Sequence, residues 1–88
     1  MFKQYRRKQI AELREVTAND INRFSNLGFL PIDDQPFGNN VSISDVDKEN
    51  GSPKFGDMIA RNPKNHADQW LVAEQYFEYN FEEVNNEF

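Results

Sequence analysis

The chain has 88 residues, no cysteine and a net charge of −5, and 38% of its residues are hydrophobic. This length fits one domain over residues 1–88, and the lack of cysteine excludes a disulfide framework and a thiolate metal site. The acidic balance argues against a general binder of the phosphate backbone of nucleic acids, which needs a basic face. No apolar run approaches the roughly 20 residues that span a bilayer, and the basic start lacks the apolar stretch of a signal peptide, so we expect a soluble intracellular protein.

Residues 3–16 fit two patterns. Ile10, Leu13 and Val16 recur at helical spacing, whereas the alternation over residues 5–13 fits a strand with two faces. Periodicity alone leaves both interpretations open.

The next segment predicts a helix over residues 18–27. Thr17 stands at the N-cap, Asp20 completes a capping pattern, and Gly28 follows as a natural stop. The helix carries one apolar stripe, formed by Ile21, Phe24 and Leu27. We expect this stripe to pack on the rest of the domain.

The middle of the chain predicts a loop over residues 29–40 that packs down through its apolar residues. An extended piece over residues 41–43 follows, and Ser44 then starts one or two helical turns that end at Gly51. The second half predicts a β-hairpin over residues 57–73 with a connecting loop of six to eight residues. A short helical turn over residues 74–80, an extended segment over residues 81–84 and a frayed tail over residues 85–88 complete the chain.

The chain contains eight phenylalanines, so we expect a core built largely from aromatic rings. Four aromatic residues near the end of the chain could stack nucleic-acid bases: Tyr76, Phe77, Tyr79 and Phe81. Their charged neighbours are glutamates, which repel phosphate, so core packing is favoured for them.

Hydrogen-bond donors are concentrated just before the single tryptophan. The candidate binding residues are Arg61, Asn62, Lys64, Asn65, His66, Asp68 and Trp70. Such a set suits an anion, a nucleotide phosphate or an acidic protein surface, with Trp70 as the anchor. The alternative is that Asn62 and Asn65 serve the turn and that Trp70 lies in the core.

His66 is the single histidine, and Asp68 or Asp57 could orient it as a general base. No serine lies in a nucleophile motif, so a histidine that hydrogen-bonds Asp68 or the backbone is favoured over a catalytic one. The sequence offers no recognisable metal-ligand set, and no cofactor is expected.

Three parts of the chain resemble small bacteriophage proteins of the PGDYG type. They are the start Tyr5-Arg-Arg-Lys8, the segment from Gly51 to Val72, which holds the turn Gly56-Asp57 followed by Met58-Ile59, and the closing segment at Phe81-Glu82. The family's Pro-Gly-Asp is Phe55-Gly56-Asp57 here, and Gln9 stands where proline is usual. The resemblance implies a phage accessory protein in the cytoplasm of the infected host, with a strand in the first half of residues 3–16. It implies no catalytic residues.

We therefore expect an α+β domain with a small antiparallel sheet, a hairpin in the C-terminal half and one packed helix. The expected function is that of a non-enzymatic phage protein that binds a host protein and inhibits a defence or regulatory factor. One alternative is a small nucleotide-like ligand bound by residues 61–70, and another is nucleic-acid binding through the basic start and the aromatic residues. A homodimer remains open.

Overall fold

A computed structural model of the chain describes residues 2–3, 11–33 and 38–80. Within these ranges three strands form one antiparallel sheet in the order β1–β2–β3. The elements in chain order are β1 (Glu12–Glu15), α1 (Ala18–Leu27), α2 (Asp45–Glu49), β2 (Met58–Asn62), β3 (Asn65–Val72) and α3 (Glu74–Asn80). The expected α+β class with a small antiparallel sheet is confirmed.

The central strand, β2, pairs on both sides. Ile59 lies opposite Arg14 of β1 and Leu71 of β3, and the next residue, Ala60, lies between Leu13 and Trp70. Ile59 and Ala60 are both buried although they point to opposite faces of the sheet.

The outer edge of β3 is partly covered by an extended piece of the middle segment. The backbone N–H of Ser42 donates to the Gln69 carbonyl at 2.9 Å, and the N–H of Leu71 donates to the Ser42 carbonyl at 2.8 Å. Residues 41–43 are therefore extended, as predicted, and they lie parallel to β3 at this point.

Helix α1 has the predicted bounds because its caps are local. Thr17 and Asp20 form a capping box, and Gly28 adopts the left-handed conformation with φ of 78°. Ile21 and Phe24 pack against the core, but the side chain of Leu27 is 49% exposed. The predicted apolar stripe thus contacts the core only through its first two residues.

The buried core is aliphatic. Its cluster consists of Val16, Leu30, Ile32, Val41, Ile59 and Leu71, with Phe24 partly buried beside it. The expectation of a largely aromatic core is therefore wrong for the described residues, in which Phe29, Phe55, Tyr76 and Tyr79 are exposed. The core positions belong to strands and short extended segments, where β-branched and other aliphatic side chains fit a narrow layer. Leu30 and Ile32 of the predicted loop are buried, as expected, whereas Phe29 is exposed and residues 34–37 lie outside the described residues.

The hairpin is present, but its predicted loop length is wrong. Strand β2 ends at Asn62 and β3 begins at Asn65, so Pro63 and Lys64 alone connect them. Asn65 and His66 are turn formers by composition, yet they continue the extended strand. A register irregularity between Arg61 and Asn62 accommodates the additional residues of β3.

The two short helices agree with their predictions. The Ser44 hydroxyl accepts a hydrogen bond from the Asp47 backbone N–H at 3.1 Å at the start of α2, and α3 covers residues 74–80. Of the ambiguous segment 3–16, residues 12–15 form a strand. The strand expected in its first half and the elements expected over residues 81–88 lie outside the described residues. Within the described ranges, no helix has the length and hydrophobicity needed to cross a membrane.

Candidate functional site

The predicted binding residues lie on two strands and a tight turn rather than on a long loop. Arg61 and Asn62 end β2, Lys64 lies in the turn, and the others belong to β3. The structure gathers six of the seven near one end of the hairpin. The seventh, Trp70, lies farther along β3, opposite Ala60.

Side-chain amides hold the end of the hairpin together. The Asn62 side-chain oxygen accepts from the Lys64 backbone N–H at 2.9 Å, and that of Asn65 accepts from Ala67 N–H at 3.2 Å. The Gln69 side-chain amide donates to the His66 carbonyl at 2.9 Å. These are local bonds of the kind that asparagine makes in turns. The Asn62 side chain thus serves the turn, whereas that of Asn65 bonds within β3.

A carboxylate from β1 reaches the charged residues of the hairpin. Oε1 of Glu12 accepts from Nε of Arg61 at 2.8 Å, and Nε2 of His66 lies 3.5 Å from the same oxygen. The prediction that the His66 side chain bonds Asp68 or the backbone is therefore wrong. The cause is the pairing of β1 with β2, which places Glu12 opposite Arg61.

Trp70 is half-buried, so it is neither a fully buried core residue nor a free surface ring. Its neighbours Gln69 and Leu71 carry the backbone hydrogen bonds to Ser42. Trp70 thus lies on the part of β3 that is hydrogen-bonded on both sides.

The sequence did not reveal the role of Asp57, whose carboxylate is completely buried. Its Oδ2 accepts from the Ser52 hydroxyl at 2.7 Å and from the Lys54 backbone N–H at 3.0 Å. Its Oδ1 accepts from the backbone N–H of Glu74, the first residue of α3, at 3.1 Å. The motif Gly56-Asp57 signalled a turn, but no local pattern could show a bond to a residue so far along the chain.

The turn before Asp57 touches α3. Gly56 has a φ of 97°, and a Cβ added there would lie 2.5 Å from a carboxylate oxygen of Glu74. The preceding residue, Phe55, has a side chain that is 68% exposed. An aromatic ring is thus presented to solvent on a turn that the buried Asp57 carboxylate fixes.

A second ionic contact joins β1 to α1. The Arg14 guanidinium donates to the two carboxylate oxygens of Asp20 at 2.6 and 3.0 Å, and Thr17 donates to Asp20 through its N–H and its hydroxyl. Burial by itself would raise the pKa of the Asp20 carboxyl, but the hydrogen bonds from Arg14 and Thr17 outweigh it and bring this pKa below its usual value. The hydrogen bond to Asp20 in turn raises the pKa of Arg14.

A small open cleft lies beside this contact. It has a volume of about 160 Å³ and is lined by Arg14, Arg23, Pro31, Ile32, Asp33, Val41 and Gln69. Pockets for drug-sized ligands are roughly 300–1,000 Å³, so this one suits only a small group. Both guanidinium groups are paired, Arg14 with Asp20 and Arg23 with Asp33, the latter pair at 3.1 Å. None of the seven predicted binding residues lines this cleft.

Over the part of the chain that the structure describes, no group of three or more histidine, aspartate and glutamate side chains is placed to hold a metal ion. Comparison with known proteins found no family model, no curated protein and no solved structure that matches the chain. The likeness to PGDYG-type phage proteins therefore rests on the residues quoted for it above.

Proposed function

We propose that the chain is a non-enzymatic bacteriophage accessory protein that acts by binding a host protein and thereby inhibits a defence or regulatory factor. The phage setting is supported by the resemblance of the segment from Gly51 to Val72 to phage proteins of the PGDYG type. The binding role is supported by the end of the hairpin. We define the hairpin surface as the six predicted residues at this end together with Trp70 farther along β3: Arg61, Asn62, Lys64, Asn65, His66, Asp68 and Trp70.

The observation that carries the binding role is the fixed conformation of the hairpin surface. Asn62, Asn65 and Gln69 hydrogen-bond the backbone of the hairpin itself. A surface that is already ordered loses less conformational entropy when it binds, so more of the contact energy contributes to affinity.

The charges of this surface suit recognition of a protein. Lys64 and Asp68 are exposed, and Arg61 and His66 share the carboxylate of Glu12. A mixture of both signs offers a partner a specific electrostatic pattern rather than one uniform field.

The test is affinity capture from a lysate of the bacterial host with the full chain immobilised. A Lys64→Glu/Asp68→Lys variant reverses two exposed charges without changing the net charge, and Lys48→Glu on α2 is the control. We expect a host protein that is retained by the wild type and by the control and lost with the hairpin variant. Retention of the same proteins by all three forms, or of none by the wild type, contradicts the proposal.

The cleft favours a second candidate function, the binding of a small anionic ligand. The guanidinium groups of Arg14 and Arg23 line one cleft with the Gln69 amide, and each of them bonds a carboxylate, which is itself an anionic group. Titration with inorganic phosphate, followed by amide NMR shifts, tests this function. Shifts centred on Val41 and Arg23 support it, and an unchanged spectrum contradicts it.

A further inference from the structure

We propose that a second surface, around Phe55 and α3, binds a lysine- and arginine-rich segment of a partner protein. We call it the aromatic–acidic surface and define it by Phe55, Glu74, Tyr76, Glu78 and Tyr79. It lies at the far end of β3 from the hairpin turn, roughly 20 Å away for a strand of this length. The inference does not depend on the function proposed for the hairpin surface.

The first observation is the exposure of three aromatic rings. The exposed fractions are 68% for Phe55, 56% for Tyr76 and 86% for Tyr79. The two tyrosines are three residues apart in α3, so they lie on the same side of the helix. Grouped exposed rings mark interaction sites, and tyrosine is among the residues that dominate binding energy there.

The second observation is that the turn that carries Phe55 is fixed to the start of α3. The backbone of Gly56 lies against the Glu74 carboxylate, and the Asp57 side chain accepts the Glu74 backbone N–H. Since Asp57 also bonds Ser52 and Lys54, the turn that carries Phe55 is held in place before any partner arrives. A partner therefore meets the ring and the helix in a set arrangement.

The third observation, the distribution of charge, determines the kind of partner. Glu74 and Glu78 are exposed and four residues apart, so they form an acidic strip along α3. Successive helical residues are about 100° apart, so the two tyrosines lie on the other flank of the exposed side of α3 from the acidic strip, and a bound segment must cross the helix to contact both. The turn of Phe55 touches the strip at Glu74.

The sequence after Lys64 contains no lysine or arginine. The acidic strip therefore has no basic residue near it in sequence. The nearby Lys54 ammonium group donates to the Asn50 carbonyl at 3.1 Å, toward the end of α2. Arginine and lysine combine an apolar stem with a cation that is attracted to aromatic faces and to carboxylates. A basic protein segment is therefore the partner whose chemistry fits both the rings and the acids.

The experiment measures fluorescence anisotropy of labelled octa-arginine and octa-lysine peptides with the full chain at about 50 mM salt, where screening is weak. Phe55→Ala and Tyr79→Ala remove rings, and Glu78→Gln removes one charge. Val46→Ala is the matched apolar control on α2, and Asp33→Asn is the matched charge control beside the cleft. Circular dichroism verifies that each variant is folded.

We expect Phe55→Ala and Tyr79→Ala to weaken octa-arginine binding about fivefold each, and Glu78→Gln to weaken it about threefold. Binding of octa-lysine should be weaker, because guanidinium stacks better on rings. Both controls should stay within about twofold of wild type, as should the Lys64→Glu/Asp68→Lys variant. Equal effects of Asp33→Asn and Glu78→Gln, or ring variants that bind like Val46→Ala, would overturn the proposal. If the hairpin surface turns out not to bind a host protein, the expected results with these peptides stay the same.

Discussion

At the scale of single residues, Asp57 shows how one buried carboxylate fixes a turn. Its three hydrogen-bond donors belong to Ser52, Lys54 and Glu74, and the carboxylate is fully shielded from water. Removing a buried acceptor leaves its donors unsatisfied, which costs more than the bonds themselves contribute.

We therefore expect Asp57→Ala to lower the free energy of unfolding by about 3 kcal/mol or more. Asp57→Asn, which keeps one acceptor oxygen, should cost less. The measurement is urea unfolding followed by circular dichroism, with the exposed Asp68→Asn as a control that should change stability by less than about 0.5 kcal/mol. Equal stability of Asp57→Ala and Asp68→Asn would show that the buried bonds do not stabilise the fold.

Asp20 leads to a prediction about pH at the same scale. Its pKa is below the ordinary value in the folded chain, so its contribution to stability is complete above the pKa of an unfolded aspartate, about 3.9. That contribution is lost as the pH falls through the lower folded-state pKa. Asp20→Asn should therefore cost about 1–3 kcal/mol near neutral pH and progressively less below about pH 4. Unfolding of both forms between pH 7 and 3 measures the difference, and a constant difference would contradict the assignment.

At the scale of elements, the sequence predicted the features that local residues determine better than those that depend on strand pairing. The bounds of α1 followed from Thr17, Asp20 and Gly28, which act within one turn of the helix. The loop length of the hairpin could not be predicted, because Asn65 favours turns by composition while its pairing with Asn62 depends on strand register.

The candidate site was likewise predictable in its position but not in its long-range contacts. Its position on the hairpin followed from the cluster of donors before Trp70. The partner of Arg61 did not, because Glu12 is 49 residues away in the chain and meets it only through the β1–β2 pairing. The link from Asp57 to α3 escaped prediction for the same reason.

The junction between the turn and α3 gives an element-scale prediction. Gly56→Ala should destabilise the fold by about 1–2 kcal/mol, since its φ of 97° disfavours an L side chain. The new methyl group would also meet the Glu74 carboxylate, which is the end of a flexible side chain and can move. A double-mutant cycle with Glu74→Ala separates the two effects. If Glu74→Ala fully restores stability, steric contact rather than backbone conformation sets the cost.

At the scale of the whole molecule, stability comes from a small aliphatic core. Leu30 is 1% exposed and belongs to the buried cluster, whereas Leu27 is 49% exposed at the end of α1. The number of phenylalanines did not predict this core, because composition does not say which rings lie in turns, as Phe55 does, or on the exposed side of a short helix, as Tyr79 does.

Leu30→Ala should therefore cost about 2–5 kcal/mol, a large share of the stability of a domain this small. Leu27→Ala makes the same chemical change at an exposed position. It should cost less than about 1 kcal/mol, because this side chain buries little apolar surface. Thermal and urea unfolding of the two variants test the comparison. Similar losses in both would mean that the core extends to the end of α1.

The bond from Asp57 to Glu74 also has a kinetic consequence. The first backbone N–H groups of a helix have no partner within the helix and normally exchange rapidly with solvent deuterium. In α3 the first of them is covered by a carboxylate that also holds the amide of Lys54. The Glu74 and Lys54 amides should therefore exchange slowly and at matched rates, because one opening event releases both. The turn and the start of α3 would then behave as a single unit of local unfolding.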